Sequence, residues 1–191
     1  MIPPSDHPKQ IPEAFFAFET KKPFTHCIEC ERILDDETDY VIEKAMRRYD
    51  SYAATDTIID YAMCTQCAMK MRDELSKESL SSMDRFFNAA MQKMVNHGDG
   101  SNSASSDEQG MRCIVTGKRI DECQEYQIYA HCRGSSLSGM IKPYMISDEA
   151  VDKLLPLLST STTDFLNGFF DKHFKPDPSL MEPIGPRLIL I

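Results

Sequence analysis

Two short segments of this chain carry paired cysteines: residues 27–30 read CIEC and residues 64–67 read CTQC. Two such pairs supply the four ligands that a tetrahedral structural zinc requires. We therefore predict that Cys27, Cys30, Cys64 and Cys67 bind one Zn²⁺ ion. Four cysteine ligands leave no coordination position for water or substrate, which indicates a structural rather than a catalytic metal.

Two alternatives to zinc binding remain open at this point. The four cysteines could be buried thiols without a metal, or one pair could be a redox centre. A redox pair would require a βαβ context and a thiol of low pKa at the start of a helix. Cys64 does precede a predicted helix, but a second pair in the same region favours a shared metal ion.

Composition bounds the class of protein. The chain has 191 residues, of which 41% are apolar, enough for a core. It contains seven cysteines, and we expect them to be reduced, because pairing in CxxC motifs favours metal binding over disulfides. No apolar run reaches the length of a transmembrane helix, and no signal peptide is evident at the N-terminus. These patterns predict a cytoplasmic protein with no membrane association.

Charge bears on the class of partner. The formal net charge is −9, and four thiolates around Zn²⁺ would add two further negative charges. Nucleic-acid binding usually needs a basic surface that displaces counterions from phosphates. The composition therefore disfavours a nucleic-acid partner and favours another protein.

An internal repeat divides the chain into two modules. With an offset of 86 residues, Cys27 aligns with Cys113 and Tyr40 aligns with Tyr126. A loop in the second module is three residues shorter, so the offset then becomes 83 and Tyr61 aligns with Tyr144. The same alignment places Thr116, Ser147 and Ala150 at the positions of Cys30, Cys64 and Cys67. The sequence thus predicts a second module that has lost its metal.

The sequence pattern predicts the same order of strands and helices in each module. Alternation around residues 40–43 and 57–61 indicates a hairpin of two strands. Helical spacing then begins at Cys64, and a second apolar stripe runs from Leu80 to Val95. In the second module Ser147 stands before a helical run that opens with two acidic residues, which predicts an N-cap in place of the metal.

The turn, hairpin and helix-borne cysteine pair resemble a treble-clef zinc finger over residues 24–75, and more weakly over residues 110–158. The resemblance implies that Cys27, Cys30, Cys64 and Cys67 are the metal ligands. It does not imply one function, since treble clefs occur in ribosomal, ubiquitin-related, nuclease and adaptor proteins. The predicted fold is α+β, with two tandem treble-clef-like modules, the second without metal.

The predicted boundaries follow composition. Residues 1–23 carry five prolines and are predicted to form an N-terminal tail. The apolar patch at residues 13–18 could pair with another subunit or bind a partner by strand addition, but docking on the protein's own fold is favoured. Residues 24–95 form the zinc module, and residues 96–110 (NHGDGSNSASSDEQG) form a flexible linker. Residues 111–175 form the degenerate repeat, and residues 176–191 form a C-terminal tail that ends in the apolar segment 187–191.

Other cysteines and histidines carry weaker signals. His26 adjoins Cys27 and could replace a ligand or hydrogen-bond to a sulfur. Cys113, Cys123, His131 and Cys132 could form a second metal site, but their irregular spacing favours scattered free thiols. Motifs typical of zinc hydrolases and deaminases are absent.

The leading functional hypothesis is a non-catalytic, zinc-stabilised adaptor that binds another protein. The alternative is a nucleic-acid-processing factor or an enzyme with an unrecognised site between the two modules. For that alternative, the first residues to test would be Arg47, Arg48, Tyr49 and Tyr52.

Overall fold

The computed structural model describes residues 9–49, 54–96, 111–139 and 141–174. We call residues 9–96 the first half and residues 111–174 the second half. The predicted linker after Asn96, the C-terminal tail from residue 176 and Tyr52 lie outside the described residues.

The first half contains a long hairpin followed by two helices. Strand β1 (Asp39–Tyr49) pairs antiparallel with β2 (Ala54–Cys64), which confirms the predicted hairpin and extends it. Helix α1 (Thr65–Glu74) begins directly after β2, and α2 (Lys77–Asn96) follows. Helix α1 buries Cys67, Ala68 and Met71 on one face.

The second half also contains paired strands followed by two helices. A 3₁₀ turn (Ile120–Glu122) leads into β3 (Glu125–Arg133), followed by the two-residue β4 (Ser136–Leu137) and by β5 (Tyr144–Ser147). Helix α3 (Asp148–Leu154) begins directly after β5. A second 3₁₀ turn (Leu155–Leu157) then leads to α4 (Thr160–Phe174).

One antiparallel sheet spans both halves. Its order is β2-β1-β3-β4, with β5 also paired to β3. Strands β1 and β3 pair antiparallel from Asp39, opposite Arg133, to Arg47, opposite Glu125. An exposed strand edge is a liability, and this pairing removes one from each half. The fold is therefore α+β as predicted, with the two halves joined through their first strands.

The segment before the first cysteine pair packs on the sheet. Phe15 is fully buried and Ile11 nearly so. The Lys44 ammonium donates to the carbonyl of Phe16 at 2.7 Å, which satisfies a buried charge. Ile11 and Phe15 are thus part of the core, whereas residues 18–23 are exposed.

No helix among the described residues combines the length and the apolar character that a membrane-spanning helix needs.

Candidate metal centre

A tight turn presents Cys27 and Cys30. The Cys27 amide donates to the carbonyl of Arg32 at 2.9 Å, and the Glu31 amide donates to the carbonyl of Cys27 at 2.9 Å. Glu31 adopts a left-handed conformation with φ of 57°, which closes the turn. The Ile28 amide donates to the carbonyl of Ala62 at 2.9 Å and fastens the turn to β2.

The end of β2 and the first turn of α1 present the other cysteine pair. Cys64 is the last residue of β2 and the N-cap of α1, and Cys67 lies in the first turn of the helix. The Cys64 amide donates to the sulfur of Cys27 at 3.3 Å. This hydrogen bond joins the two pairs and stabilises negative charge on a sulfur.

The four predicted ligands come together. The sulfur atoms of Cys27, Cys30, Cys64 and Cys67 all lie within 4.8 Å of one another, and those of Cys30 and Cys64 are 3.9 Å apart. A tetrahedral ion about 2.3 Å from each sulfur would hold the sulfurs roughly 3.8 Å apart. The tetrad is therefore positioned to bind one metal ion.

The electrostatics of the tetrad favour an ion. Burial raises the pKa of the Cys67 thiol well above its usual value, and burial likewise raises that of Cys64. The backbone amide of Arg32 lowers the pKa of Cys30 to about 7. Since burial opposes uncompensated thiolates at Cys64 and Cys67, a divalent cation would supply the missing positive charge and would displace protons as it binds.

The second half contains a turn of the same geometry. The Cys113 amide donates to the carbonyl of Lys118 at 2.8 Å, and the Gly117 amide donates to the carbonyl of Cys113 at 2.8 Å. Gly117 has a φ of 74°, matching the left-handed Glu31. The Ile114 amide donates to the carbonyl of Met145 and fastens this turn to β5.

A hydrogen-bond network occupies the place that the metal would take in this second turn. The Ser147 amide and hydroxyl donate to the sulfur of Cys113 at 3.2 Å and 3.3 Å, and the hydroxyls of Thr116 and Ser147 lie 3.2 Å apart. The Ser147 hydroxyl also accepts from the amide of Ala150, which confirms the predicted N-cap of α3. No metal-binding group is found here among the described residues.

The remaining predicted candidates do not gather around an ion. The Cys123 thiol donates to the carbonyl of Arg119, and the His131 ring lies 6.3 Å from the ring of Tyr144. The His26 imidazole hydrogen-bonds to the hydroxyl of Thr25 at 2.9 Å rather than to a sulfur. Within the described part of the chain, the cysteine tetrad is the one cluster with metal-binding geometry.

The turn that carries Cys27 and Cys30 also anchors the last turn of α4. The Glu29 carboxylate accepts from the Lys172 ammonium at 2.6 Å and hydrogen-bonds to the His173 ring at 2.8 Å. These partners lower the pKa of Glu29, against the opposing effect of desolvation. The metal centre is thus tied to both halves of the molecule.

A cavity of about 280 Å³ lies where β1 meets β3 and α3. Its lining includes Met46 from the first half and Glu125 and Asp148 from the second. Both carboxylates are already engaged. Arg47 forms an ion pair with Glu125 at 2.6 Å, and Asp148 accepts from the amides of Gln124 and Glu125.

Sequence reasoning missed a buried carboxyl group. Glu43 lies on β1 and is fully buried; its Oε2 accepts from the Tyr61 hydroxyl at 2.6 Å. Its Oε1 has no hydrogen-bond partner among the described residues. Burial raises the pKa of Glu43 to about 8, so the group is largely protonated at neutral pH. The available signal was its position between the apolar residues Val41 and Ala45 on one face of β1.

Comparison of this chain with protein-family models, with curated proteins and with solved structures finds no match. The properties of the site therefore rest on its own geometry.

Proposed function

We propose that the cysteine tetrad binds one Zn²⁺ ion and that the ion is structural. Soft thiolate ligands in a tetrahedral arrangement suit zinc. All four positions are filled by protein sulfur, so the ion would have no site for an activated water. Its role would be to hold the turn at residues 27–30 against the junction of β2 and α1.

We also propose that the two halves are duplicated treble-clef-like modules. The offset of 86 that aligns Cys27 with Cys113 maps β1 onto β3, and the offset of 83 maps the end of β2 onto β5. Under these offsets the pairing of Tyr40 with Cys64 corresponds to the pairing of Tyr126 with Ser147. The agreement of strand register with sequence offset supports duplication.

We propose further that the protein is a non-catalytic adaptor that binds another protein. The observation that carries this proposal is the exposure of two large apolar side chains that lie close in sequence to the cysteine tetrad. Ile33, three residues after Cys30, is 64% exposed, and Met69, two residues after Cys67, is 62% exposed. Exposed apolar groups on a rigid, metal-fixed scaffold favour a protein partner, and the net charge of −9 favours one that is not nucleic acid.

The alternative of a nucleic-acid-processing factor or an enzyme between the modules has less support. Arg47 is paired with Glu125, and the Arg48 guanidinium donates to the carbonyl of Ile120 at 3.0 Å. Both side chains therefore serve the contact between β1 and the second half. A phosphate would have to compete with these bonds.

Metal content tests the zinc proposal. The purified chain is expected to hold one equivalent of zinc, and Cys67→Ser is expected to hold none, because a hydroxyl is a poor ligand for zinc beside three thiolates. Cys123→Ser is the matched control: Cys123 is also buried but lies outside the tetrad, so this variant should keep one equivalent. The readout is elemental analysis of gel-filtered protein, and a zinc-free wild type would refute the proposal.

Cross-linking tests the adaptor proposal. The double variant Ile33→Ser with Met69→Gln should lose at least tenfold in yield of a defined cross-linked protein partner while keeping its zinc. Leu157→Ser is the control, since Leu157 is similarly apolar and 44% exposed but lies in the second half. Equal losses in both variants, or a salt-sensitive affinity for DNA or RNA that the double variant retains, would contradict an adaptor surface at these residues.

A further inference from the structure

The starts of α2 and α4 carry matching polar residues. Ser76 precedes α2 and Ser159 precedes α4, so each is an N-cap residue; Ser79 and Thr162 stand three residues later. The offset of 83 maps Ser76 onto Ser159 and Ser79 onto Thr162. Each N-cap hydroxyl accepts from the amide three residues ahead in its own helix, at 3.1 Å in α2 and 3.3 Å in α4.

The return hydrogen bonds cross between the two halves. In a capping box, the side chain of the third helical residue accepts from the N-cap amide of its own helix. Here the Ser79 hydroxyl accepts from the Ser159 amide at 2.9 Å, and the Thr162 hydroxyl accepts from the Ser76 amide at 3.0 Å. The hydroxyls of Ser76 and Ser159 lie 2.9 Å apart. Each helix therefore completes the cap of the other.

The sheet shows the same reciprocity. Residue 43 corresponds to residue 129 under the offset of 86, and Glu43 pairs with Tyr129 in the β1–β3 ladder. On either side of this pair, Tyr40 pairs with Cys132 and Met46 pairs with Tyr126. The offset of 86 maps residue 40 onto 126 and residue 46 onto 132, so the two pairs are equivalent. A contact in which residue i meets j and the equivalent of j meets the equivalent of i defines an isologous interface, the kind that relates the subunits of a symmetric dimer.

We infer that the two halves pack through an isologous interface, in which the second half takes the place of a second copy of the first. This inference rests on the duplication proposed above. It has a consequence for metal chemistry. The second half keeps the backbone of a metal centre and one of its four thiols, so Cys113, Thr116, Ser147 and Ala150 form a latent site for Zn²⁺.

The backbone at the latent site supports this consequence. The amide of Ser147, the last residue of β5, already donates to the Cys113 sulfur at 3.2 Å, as the Cys64 amide donates to the Cys27 sulfur at 3.3 Å. Ser147 and Ala150 are as buried as their counterparts Cys64 and Cys67. The Thr116 and Ser147 hydroxyl oxygens lie 3.2 Å apart, and the sulfurs of their counterparts Cys30 and Cys64 lie 3.9 Å apart, so both pairs of side chains converge.

Restoring the thiols tests the inference in the full chain. The triple variant Thr116→Cys, Ser147→Cys, Ala150→Cys is expected to hold two equivalents of Zn²⁺, or of Co²⁺ added alone as a spectroscopic probe, against one in the wild type. Adding Cys113→Ser to the triple variant should return the content to one. A folded triple variant that holds one equivalent would overturn the inference, whereas a wild type without zinc would overturn the proposed function instead.

Amide hydrogen exchange provides a second test that needs no added thiols. Ser79→Ala should speed exchange of the Ser159 amide roughly fivefold, and Thr162→Ala should do the same for the Ser76 amide, as expected for loss of one cap hydrogen bond. Self-contained capping boxes would give the opposite result, in which Ser79→Ala affects Ser76 and Thr162→Ala affects Ser159. That pattern would rule out reciprocal capping even if the triple variant failed to fold.

Discussion

Glu43 is a buried carboxyl group on β1. It lies at the centre of the β1–β3 ladder, opposite Tyr129. One carboxyl oxygen accepts a hydrogen bond from the Tyr61 hydroxyl, and the other has no hydrogen-bond partner among the described residues. A charged carboxylate would be costly in this place, and the protonated form is favoured up to a pH of about 8. Glu43 therefore holds a proton at the junction of the two halves.

This environment predicts a pH dependence of stability. The pKa of Glu43 is about 8 in the folded chain and near 4.5 when the chain is unfolded. The folded chain binds the extra proton between these values, so its free energy of unfolding falls as pH rises through this window and levels off above about 8. Glu43→Gln resembles the protonated carboxyl group and should remove this dependence.

Urea denaturation of both proteins between pH 6 and 8.5, with zinc in excess, would measure the effect. We expect the wild type to lose up to about 1 kcal/mol per pH unit relative to Glu43→Gln. Parallel pH profiles for the two proteins would show that Glu43 is ionised in the folded state. The comparison cancels any titration of the cysteine ligands, because both proteins contain the same tetrad.

At the scale of single elements, local sequence patterns predicted several helices, strands and caps correctly. The hairpin, the helix after Cys64 and the Ser147 cap all follow from the spacing of apolar residues and from the preference of serine for N-caps. These are interactions between residues close in sequence. The helix after Cys64 has two roles: its first turn contains the candidate ligand Cys67, and its buried face packs on the hairpin.

The segment before the first cysteine pair shows what local patterns leave open. Its prolines indicated a tail, yet Phe15 is fully buried and Lys44, on β1, bonds to the carbonyl of Phe16. Proline content reports on local stiffness and lack of helix, but it does not report on whether a segment packs against a distant sheet. The apolar residues 14–18 were the better signal, because a large apolar patch is rarely left exposed.

At the scale of the whole molecule, the shared sheet makes the two halves interdependent. Strand β1 lies between β2 and β3, so unfolding of the first half would expose the edge of β3 in the second. The Glu29 contacts with Lys172 and His173 and the reciprocal caps add further links. Two separate domains on a flexible linker would share none of these contacts.

We therefore expect one cooperative unfolding transition, and we expect metal removal to destabilise both halves. Hydrogen exchange monitored by mass spectrometry in increasing urea should show peptides from β2 and from β5 losing protection together. Chelation of the metal should lower the midpoint for both peptides by a similar amount. If chelation left β5 protected while β2 exchanged freely, the halves would be energetically independent and this expectation would be wrong.

The chain by itself predicted the cysteine tetrad and the α+β class, because both depend on residue type and short-range spacing. The pairing of β1 with β3, the proton on Glu43 and the exchange of caps between Ser79 and Thr162 emerged only from the tertiary structure. Each involves contacts between residues at least 78 positions apart in the sequence. Local spacing determines which groups a segment can offer, whereas the packing of distant segments determines which partners those groups meet.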